Sequence, residues 1–313
     1  MTPGRLDPRR SILSGLLGQG IKPSLTPEMH EREAGRHGLR YVYKIIDLHD
    51  DELCPDRLRQ LLDSTIRLGF DGLNVTHPVK QPMVSLVDRI TPDVEAIGAL
   101  NTIVIEAGVT VGHNTDVTGF GSALRDGLPA ADLEQVVLLG AGGAGTAVAH
   151  ALVRLGAQRL LVFDTDPTRA ERLARSIGQL QADVDVSSML DSSLPDALSV
   201  ASGLVNATPV GMAAHPGTPV SADLLRPALW VADIVYRPLV TELLRVAGAA
   251  GCRTLSGAGM AVHQAADAFE LITGRPAHRE AMFRDLDDMV AVEVESKDRA
   301  LNQAREISGE RKQ

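Results

Sequence analysis

Val136-Val-Leu-Leu-Gly-Ala-Gly-Gly-Ala-Gly145 sets the architecture of the second half of this chain. Val136 to Leu139 is an apolar run of strand length. Gly140, Gly142 and Gly145 complete a G-x-G-x-x-G, and Thr146 to Leu155 reads as a helix. A second apolar strand, Leu160-Leu-Val-Phe163, ends at Asp164, nineteen residues after Gly145. Strand, glycine turn, helix, strand and acid in this order form the dinucleotide-binding fingerprint. Gly140 permits the tight turn, Gly142 lets backbone approach a pyrophosphate, and Gly145 lets helix and strand pack closely. The helix start supplies unpaired N–H groups and partial positive charge to phosphates. The expected contacts are therefore Gly140, Gly142, Gly143, Ala144, Gly145 and Asp164.

Working outward, 313 residues leave room for two domains of ordinary size. Hydrophobic residues make up 44% and charged residues 23%, which predicts a soluble globular protein. Aromatics are only 3%, so the cores must rely on Leu, Val, Ile and Ala. The net charge of −9, with no Lys/Arg-rich run, argues against nucleic acid as a partner. Two cysteines, Cys54 and Cys252, make no disulfide framework and fit a reducing cytoplasm. Arg5, Arg9 and Arg10 precede an apolar run at Ser11 to Leu17 that is too short to span a bilayer and lacks a cleavage site. Val136 to Val153 is uncharged, but its glycines mark it as strand, turn and helix rather than a membrane span. The expected protein is cytoplasmic, with no membrane partner.

Residues 1 to about 10 read as a loose tail. Strands are expected at Ser11–Gly18, Tyr41–Ile46 and Asp71–Val75, with helices at Pro27–Arg36 and Pro55–Leu68. That alternation implies a parallel sheet with crossover helices. Leu100–Glu106 and Val109–His113, joined by Ala107-Gly108, read as a hairpin. A helix should run from about Val117 to Asp126. Beyond the fingerprint, strands are expected at Gly203–Asn206 and Trp230–Tyr236, and long helices at Ala258–Thr273 and Arg279–Val294. The highly charged last fifteen or so residues are expected to be solvated. The fold class is thus α/β, with the dinucleotide-binding unit second, after about 115 residues that carry their own sheet.

Three polar clusters punctuate the first unit: Asn74-Val-Thr-His-Pro-Val-Lys80, Ala99-Leu-Asn-Thr102 and Gly112-His-Asn-Thr-Asp116. The first follows a strand, where open α/β sheets place ligands. Taken singly, Lys80 reads as a surface lysine, Asp116 as a helix N-cap and Asn101 as a turn residue. Their order along the chain says more. Ser24-Leu-Thr-Pro27 precedes them, and Gly257-Ala-Gly-Met-Ala-Val-His-Gln264 follows the glycine motif.

These six ordered motifs resemble the shikimate dehydrogenase family from Leu16 to about Gly274. The resemblance implies an N-terminal substrate-binding catalytic domain over residues 1–117 and a Rossmann domain over 118–258. Helices over 259–313 would pack back on the first, and the active site would lie in the cleft between the domains. It assigns the substrate carboxylate to Ser24 and Thr26, and ring hydroxyls to Thr76, Asn101 and Gln264. It makes Lys80 and Asp116 the acid–base pair. Thr208 and Tyr236 join the cofactor contacts. The implied reaction moves hydride between a nicotinamide and the C3 carbinol of a small cyclic hydroxy-carboxylate, by a monomer or homodimer. The chemistry is sound from first principles: oxidising a secondary alcohol needs a hydride acceptor and a base at the hydroxyl, and no metal. Lysine can take the proton or, as ammonium, stabilise developing alkoxide. His77 competes for the role of base, but its side chain is expected to point away from Lys80.

The departures from the family pattern are informative. Threonine replaces the second serine at Thr26, Gly20 stands where proline is common, and Thr76-His-Pro-Val-Lys80 and Asn114-Thr-Asp-Val117 replace the commoner forms. These variants resemble the NAD-dependent quinate/shikimate dehydrogenases. At Asp164-Thr-Asp166 the NADP-using members usually carry asparagine-arginine-threonine. A carboxylate there bonds both ribose hydroxyls and repels a 2′-phosphate, so NAD is expected over NADP. Arg169 is the one cation that could still reach a phosphate. The expected reaction is NAD-dependent oxidation of quinate or shikimate to 3-dehydroquinate or 3-dehydroshikimate. The rivals are a biosynthetic shikimate or aminoshikimate dehydrogenase, a non-catalytic binding paralogue, and a methylene-tetrahydrofolate dehydrogenase-like enzyme. Retention of both Lys80 and Asp116 argues against the binder, which needs no base.

Overall fold

The computed structural model describes residues 11–181 and 183–292. The tail at residues 1–10, the end of the last helix and the charged C-terminus expected from the sequence lie outside these.

The first unit runs β1 (Ser11–Gly18), α1 (Thr26–Arg36), β2 (Arg40–Asp47), α2 (Pro55–Arg67), β3 (Gly72–Val75), β4 (Arg89–Ile90), α3 (Pro92–Ile97), β5 (Thr102–Glu106) and β6 (Val109–His113). Its sheet has the order β2-β1-β3-β5-β6-β4. The strands expected to be parallel, β1, β2 and β3, are parallel, and the expected hairpin makes the whole sheet mixed: β5 pairs antiparallel with β3 and with β6. The cause is the hairpin at Ala107-Gly108, since a tight turn can only return the chain antiparallel. α2 shows why the helices sit where they do. Leu58, Leu62 and Thr65 recur at helical spacing and are its buried residues.

α4 (Asp116–Gly127) leads to the second unit. This runs β7 (Gln135–Leu139), α5 (Gly143–Arg154), β8 (Arg159–Phe163), α6 (Pro167–Leu180), β9 (Asp185–Ser188), α7 (Leu194–Val200), β10 (Gly203–Asn206), β11 (Trp230–Asp233), α8 (Glu242–Ala249) and β12 (Arg253–Ser256). Its sheet is parallel throughout, in the order β12-β11-β10-β7-β8-β9. One core cluster joins α4, α5 and α6 to Val136, Leu138, Leu160 and Val162; another joins α7 and α8 to Val137, Leu139, Leu161 and Val231. Apolar side chains on both faces make each central strand a continuous apolar run, as a doubly wound sheet requires. Two boundaries differ from expectation. α5 begins at Gly143, inside the glycine motif, with Gly142 as its extended N-cap. β11 stops at Asp233 rather than Tyr236, because the Val235 N–H donates to the Asp233 carboxylate at 3.0 Å.

α9 (Gly257–Thr273) then returns along α4. The two helices approach closely: a Cβ at Gly119 would come within 2.9 Å of the Gln264 Cβ, and one at Gly259 within 3.0 Å of the Ala123 Cβ. A final helix, α10 (279–292), packs Met282, Leu286 and Met289 against Met29 of α1 and Val262, Ala265 and Ala266 of α9. Among the described residues no helix is long and apolar enough to cross a membrane.

Candidate active site

The parallel strands of the first sheet end where its polar motifs begin. The Thr76 N–H bonds the Leu17 carbonyl at 2.9 Å, and the Gln19 N–H bonds that of His77 at 3.1 Å. The loops leaving β1 and β3 are thereby held side by side. The β1 loop leads to Ser24, whose hydroxyl donates to Thr26 Oγ1 at 3.1 Å and accepts the Thr26 N–H at 3.2 Å. Both residues are half-buried at the start of α1, where helix N–H groups also favour an anion.

Lys80 and Asp116 meet. Lys80 Nζ lies 2.6 Å from Asp116 Oδ2, with side chains 18% and 5% exposed. A backbone bond from Leu100 N–H to the Lys80 carbonyl, at 3.0 Å, ties the lysine segment to the next motif. Asp116 is the first residue of α4 and not its cap. Its carboxylate faces Lys80 and accepts from Asn101 Nδ2 at 3.0 Å, while its own N–H is held by Asn114 Oδ1 at 3.0 Å. The N-cap reading is therefore corrected.

Asn101 is the centre of the cluster and is 2% exposed. Its Nδ2 also reaches Thr115 Oγ1 at 2.9 Å and Gln264 Oε1 at 3.2 Å. An amide nitrogen has two hydrogens for these three acceptors. The longest of the three contacts is the one to Gln264. Asn101 Oδ1 is fixed by the Thr115 N–H at 2.8 Å, and the Thr115 hydroxyl donates to the Gln264 carbonyl at 3.0 Å. Thr115 thus joins the first unit to α9, a role the sequence reading did not single out although it quoted the Asn114-Thr-Asp116 motif. Asn74 was likewise quoted and unassigned. It is buried, accepts from the Tyr43 hydroxyl at 2.7 Å, and donates to Thr102 Oγ1 at 3.1 Å. His77 is exposed and takes no part in this cluster.

The glycine turn faces the same place: a Cβ on Gly143 would lie 3.9 Å from Lys80 Cδ. Across the cleft, Arg237 Nη1 donates to the Pro23 carbonyl, next to Ser24. The turn itself fits a dinucleotide. Gly140 has φ +95°, and a Cβ at Gly145 would come within 2.0 Å of the Gly140 carbonyl oxygen. At Gly142 a Cβ would meet nothing within 4 Å, which leaves the α5 N-terminus open to phosphate. Asp164, at the end of β8, accepts the Ala141 N–H at 2.7 Å and the Asp166 N–H at 2.8 Å. Arg169 is exposed and paired with Asp166 at 3.4 Å. The Thr208 hydroxyl bonds Asn206 Oδ1 at 2.6 Å, and Tyr236 is half-buried just past β11. Asn206 in turn donates to Asp233 at 3.0 Å. Burial pushes the Asp233 carboxyl above its usual range despite bonds from Thr241, Val235 and Asn206.

A cavity of about 640 Å³ lies on another face of α4, lined by Asp93, His113, Thr118, Arg125, Arg154 and Asp267 among others. It contains neither Lys80 nor Asp116. The convergence of side chains, and not that concavity, marks the site.

Comparison with known proteins gives the family. Residues 16–103 match the shikimate dehydrogenase substrate binding domain, and 257–282 the shikimate 5′-dehydrogenase C-terminal domain. A relative from Streptomyces avermitilis, named shikimate dehydrogenase (NADP(+)), is 54% identical over 89% of this chain and 96% of its own. The chain belongs to the shikimate dehydrogenase family. A second relative, the quinate/shikimate dehydrogenase (NAD(+)) of Corynebacterium glutamicum, is 49% identical over 84% of this chain and 94% of its own. Among solved structures, quinate dehydrogenase from Corynebacterium glutamicum in complex with NAD superposes with a TM-score of 0.83, at 46% identity, over 89% of this chain and 99% of that one. The α/β architecture of two units expected from the sequence is thus that of the family. The relatives differ in cofactor, so the choice between NAD and NADP has to be argued from this chain's own residues.

Proposed function

We propose that this chain is an NAD-dependent dehydrogenase that oxidises quinate and shikimate at the C3 carbinol, giving 3-dehydroquinate and 3-dehydroshikimate. The observation that carries the reading is the Lys80–Asp116 pair at 2.6 Å, held by Asn101 and facing the glycine turn. The nicotinamide, when bound, supplies the hydride acceptor. The chain's residues do the rest. Ser24 and Thr26 hold the carboxylate with neutral donors. Asn101, Thr76 and Gln264 bond ring hydroxyls and fix which carbon faces the cofactor. Lys80 and Asp116 receive the hydroxyl proton as hydride leaves C3.

Cofactor choice rests on Asp164. Its carboxylate, at the end of β8, accepts the Ala141 N–H of the glycine turn, and Asp166, two residues on, engages Arg169. The Streptomyces avermitilis relative favours a second reading, a shikimate dehydrogenase using NADP. The two acids argue against it, because a 2′-phosphate would have to come beside a carboxylate.

Initial rates for shikimate and quinate, each with NAD and NADP, test both halves. Both compounds should be oxidised with NAD, and NAD should be preferred over NADP by about ten- to a hundredfold in kcat/KM, the worth of one charged hydrogen bond. No quinate oxidation at saturating NAD would leave shikimate or an amino analogue as the substrate. A preference for NADP overturns the cofactor assignment, and oxidation of neither compound overturns the proposed substrates. Asp164→Ala should weaken NAD and narrow the NAD/NADP ratio of kcat/KM. An unchanged ratio would remove Asp164 from the ribose site.

A further inference from the structure

Away from the active site, α1 and the segment before α10 bring three metal-ligating side chains together. Glu33 lies on α1 and His37 four residues on, at its C-cap, and His278 immediately precedes α10. Glu33 Oε1 is 3.0 Å from His37 Nε2 and 2.8 Å from His278 Nδ1, and the three ligand atoms all fall within 4.8 Å of one another. The Glu33 side chain is fully buried, His37 is 14% exposed and His278 57% exposed.

The hydrogen bonding of this cluster is oversubscribed. Oε1 also accepts the His278 backbone N–H at 2.8 Å, so three donors converge on an oxygen with two lone pairs. Arg36 Nε meanwhile donates to the second oxygen, Oε2, at 2.8 Å. A cation between the two imidazoles and Oε1 would replace two of the competing protons with lone-pair donation from each ring. Tetrahedral zinc with bonds of ~2.0–2.1 Å needs ligand atoms about 3.3 Å apart. The contacts to Oε1 are within a few tenths of an ångström of that. Arg36 would orient the carboxylate from behind, as outer partners of metal ligands do. The two nearby arginines are matched by two carboxylates besides Glu33: Arg36 and Arg32 share Asp285, and Arg32 also pairs with Glu28.

We propose that Glu33, His37 and His278 form a site for a divalent transition metal, zinc in the first instance, that pins α10 to α1. Two imidazoles and one carboxylate suit zinc better than magnesium or calcium, which take oxygen ligands. The exposed side of His278 leaves the fourth position to water. Thr26 lies two turns away at the other end of α1, so the metal braces the helix that carries a carboxylate-binding hydroxyl without touching the reaction.

The test uses the full chain, free of any affinity tag and stripped of metal, with zinc chloride as the probe. Equilibrium dialysis should give one zinc per chain, and zinc at ~100 times its Kd should raise Tm by about 5 °C. His37→Ala and His278→Ala should each bind at least about tenfold more weakly and lose the Tm response. Both positions are partly exposed, so these variants should fold where a change at buried Glu33 need not. Cys54→Ser should bind as the parent does, which separates this site from the exposed thiol. Cobalt(II) should give the visible absorption of a four-coordinate complex. The proposal is overturned if the parent binds no zinc at ~100 μM, or if the two histidine variants bind as tightly as the parent. In either case the cluster is only a hydrogen-bonded clasp.

Discussion

Lys80→Ala should lower kcat by about 10²–10⁴ while the substrate still binds, because general acid–base catalysis contributes that much and the carboxylate contacts are elsewhere. In the parent, the ammonium lies 2.6 Å from Asp116 Oδ2 and shares that carboxylate with Asn101. Removing it takes away the group proposed to meet the substrate hydroxyl. It also leaves Asp116, 4% exposed, holding a charge with one amide for company. An uncompensated buried charge costs about 3–5 kcal/mol, so the variant should also lose Tm. Binding therefore has to be measured directly on the folded protein, by calorimetric titration with shikimate alongside the rate. If the folded variant keeps more than about a tenth of the parent's kcat, Lys80 is not the acid–base group.

The second large effect is expected at Gly145→Ala. An added Cβ would sit 2.0 Å from the Gly140 carbonyl oxygen, well inside contact distance; the oxygen is backbone, and the Cβ position is fixed by the backbone that carries it. No side chain can swing aside to relieve it, so α5 must move off β7 or the turn must open. Overpacking of this kind typically costs about 1–3 kcal/mol, and a backbone clash belongs at the upper end. Thermal unfolding should show the loss. An NAD titration should show weaker binding too, since the same displacement moves the α5 N–H groups. A variant with the parent's Tm and NAD affinity would mean that the turn is looser than its contacts imply.

Legibility in the sequence followed burial. β1, β7, β8 and β10 are nearly continuous apolar runs, and each was readable. β9 and β12 lie at the sheet's two edges, where half or more of the residues face water, so Asp185–Ser188 and Arg253–Ser256 carry no apolar signature. α3, six residues long, is too short for periodicity to speak. α6 was readable and passed over: Asp166 caps it, Pro167 begins it, and Ala170, Leu173 and Ile177 recur on one face. β11 was read too long because Ile234, Val235 and Tyr236 are apolar or aromatic, and only the fold shows the Asp233 carboxylate taking the next N–H. In the site, motif order pointed to Lys80, Asp116, Asn101 and Gln264, which the fold brings together. The supporting bonds of Thr115 and Asn74 were not legible. They depend on which strands lie side by side, and no local pattern records that.

Asp164 has a practical bearing on redesign. Before any ribose arrives, one of its oxygens already fastens the Ala141 N–H and the other the Asp166 N–H. The side chain is a strut of the turn as well as the proposed reader of the nucleotide. Exchanging it to admit a 2′-phosphate would loosen the scaffold that has to present that phosphate, so gains in selectivity would be offset by losses in affinity for both cofactors. Thr165 and Asp166 are the more tractable positions. Thr165 is exposed, and Asp166 spends its side chain on capping α6 and pairing Arg169. An engineer seeking a phosphate-accepting enzyme would keep the strut and recruit the arginine.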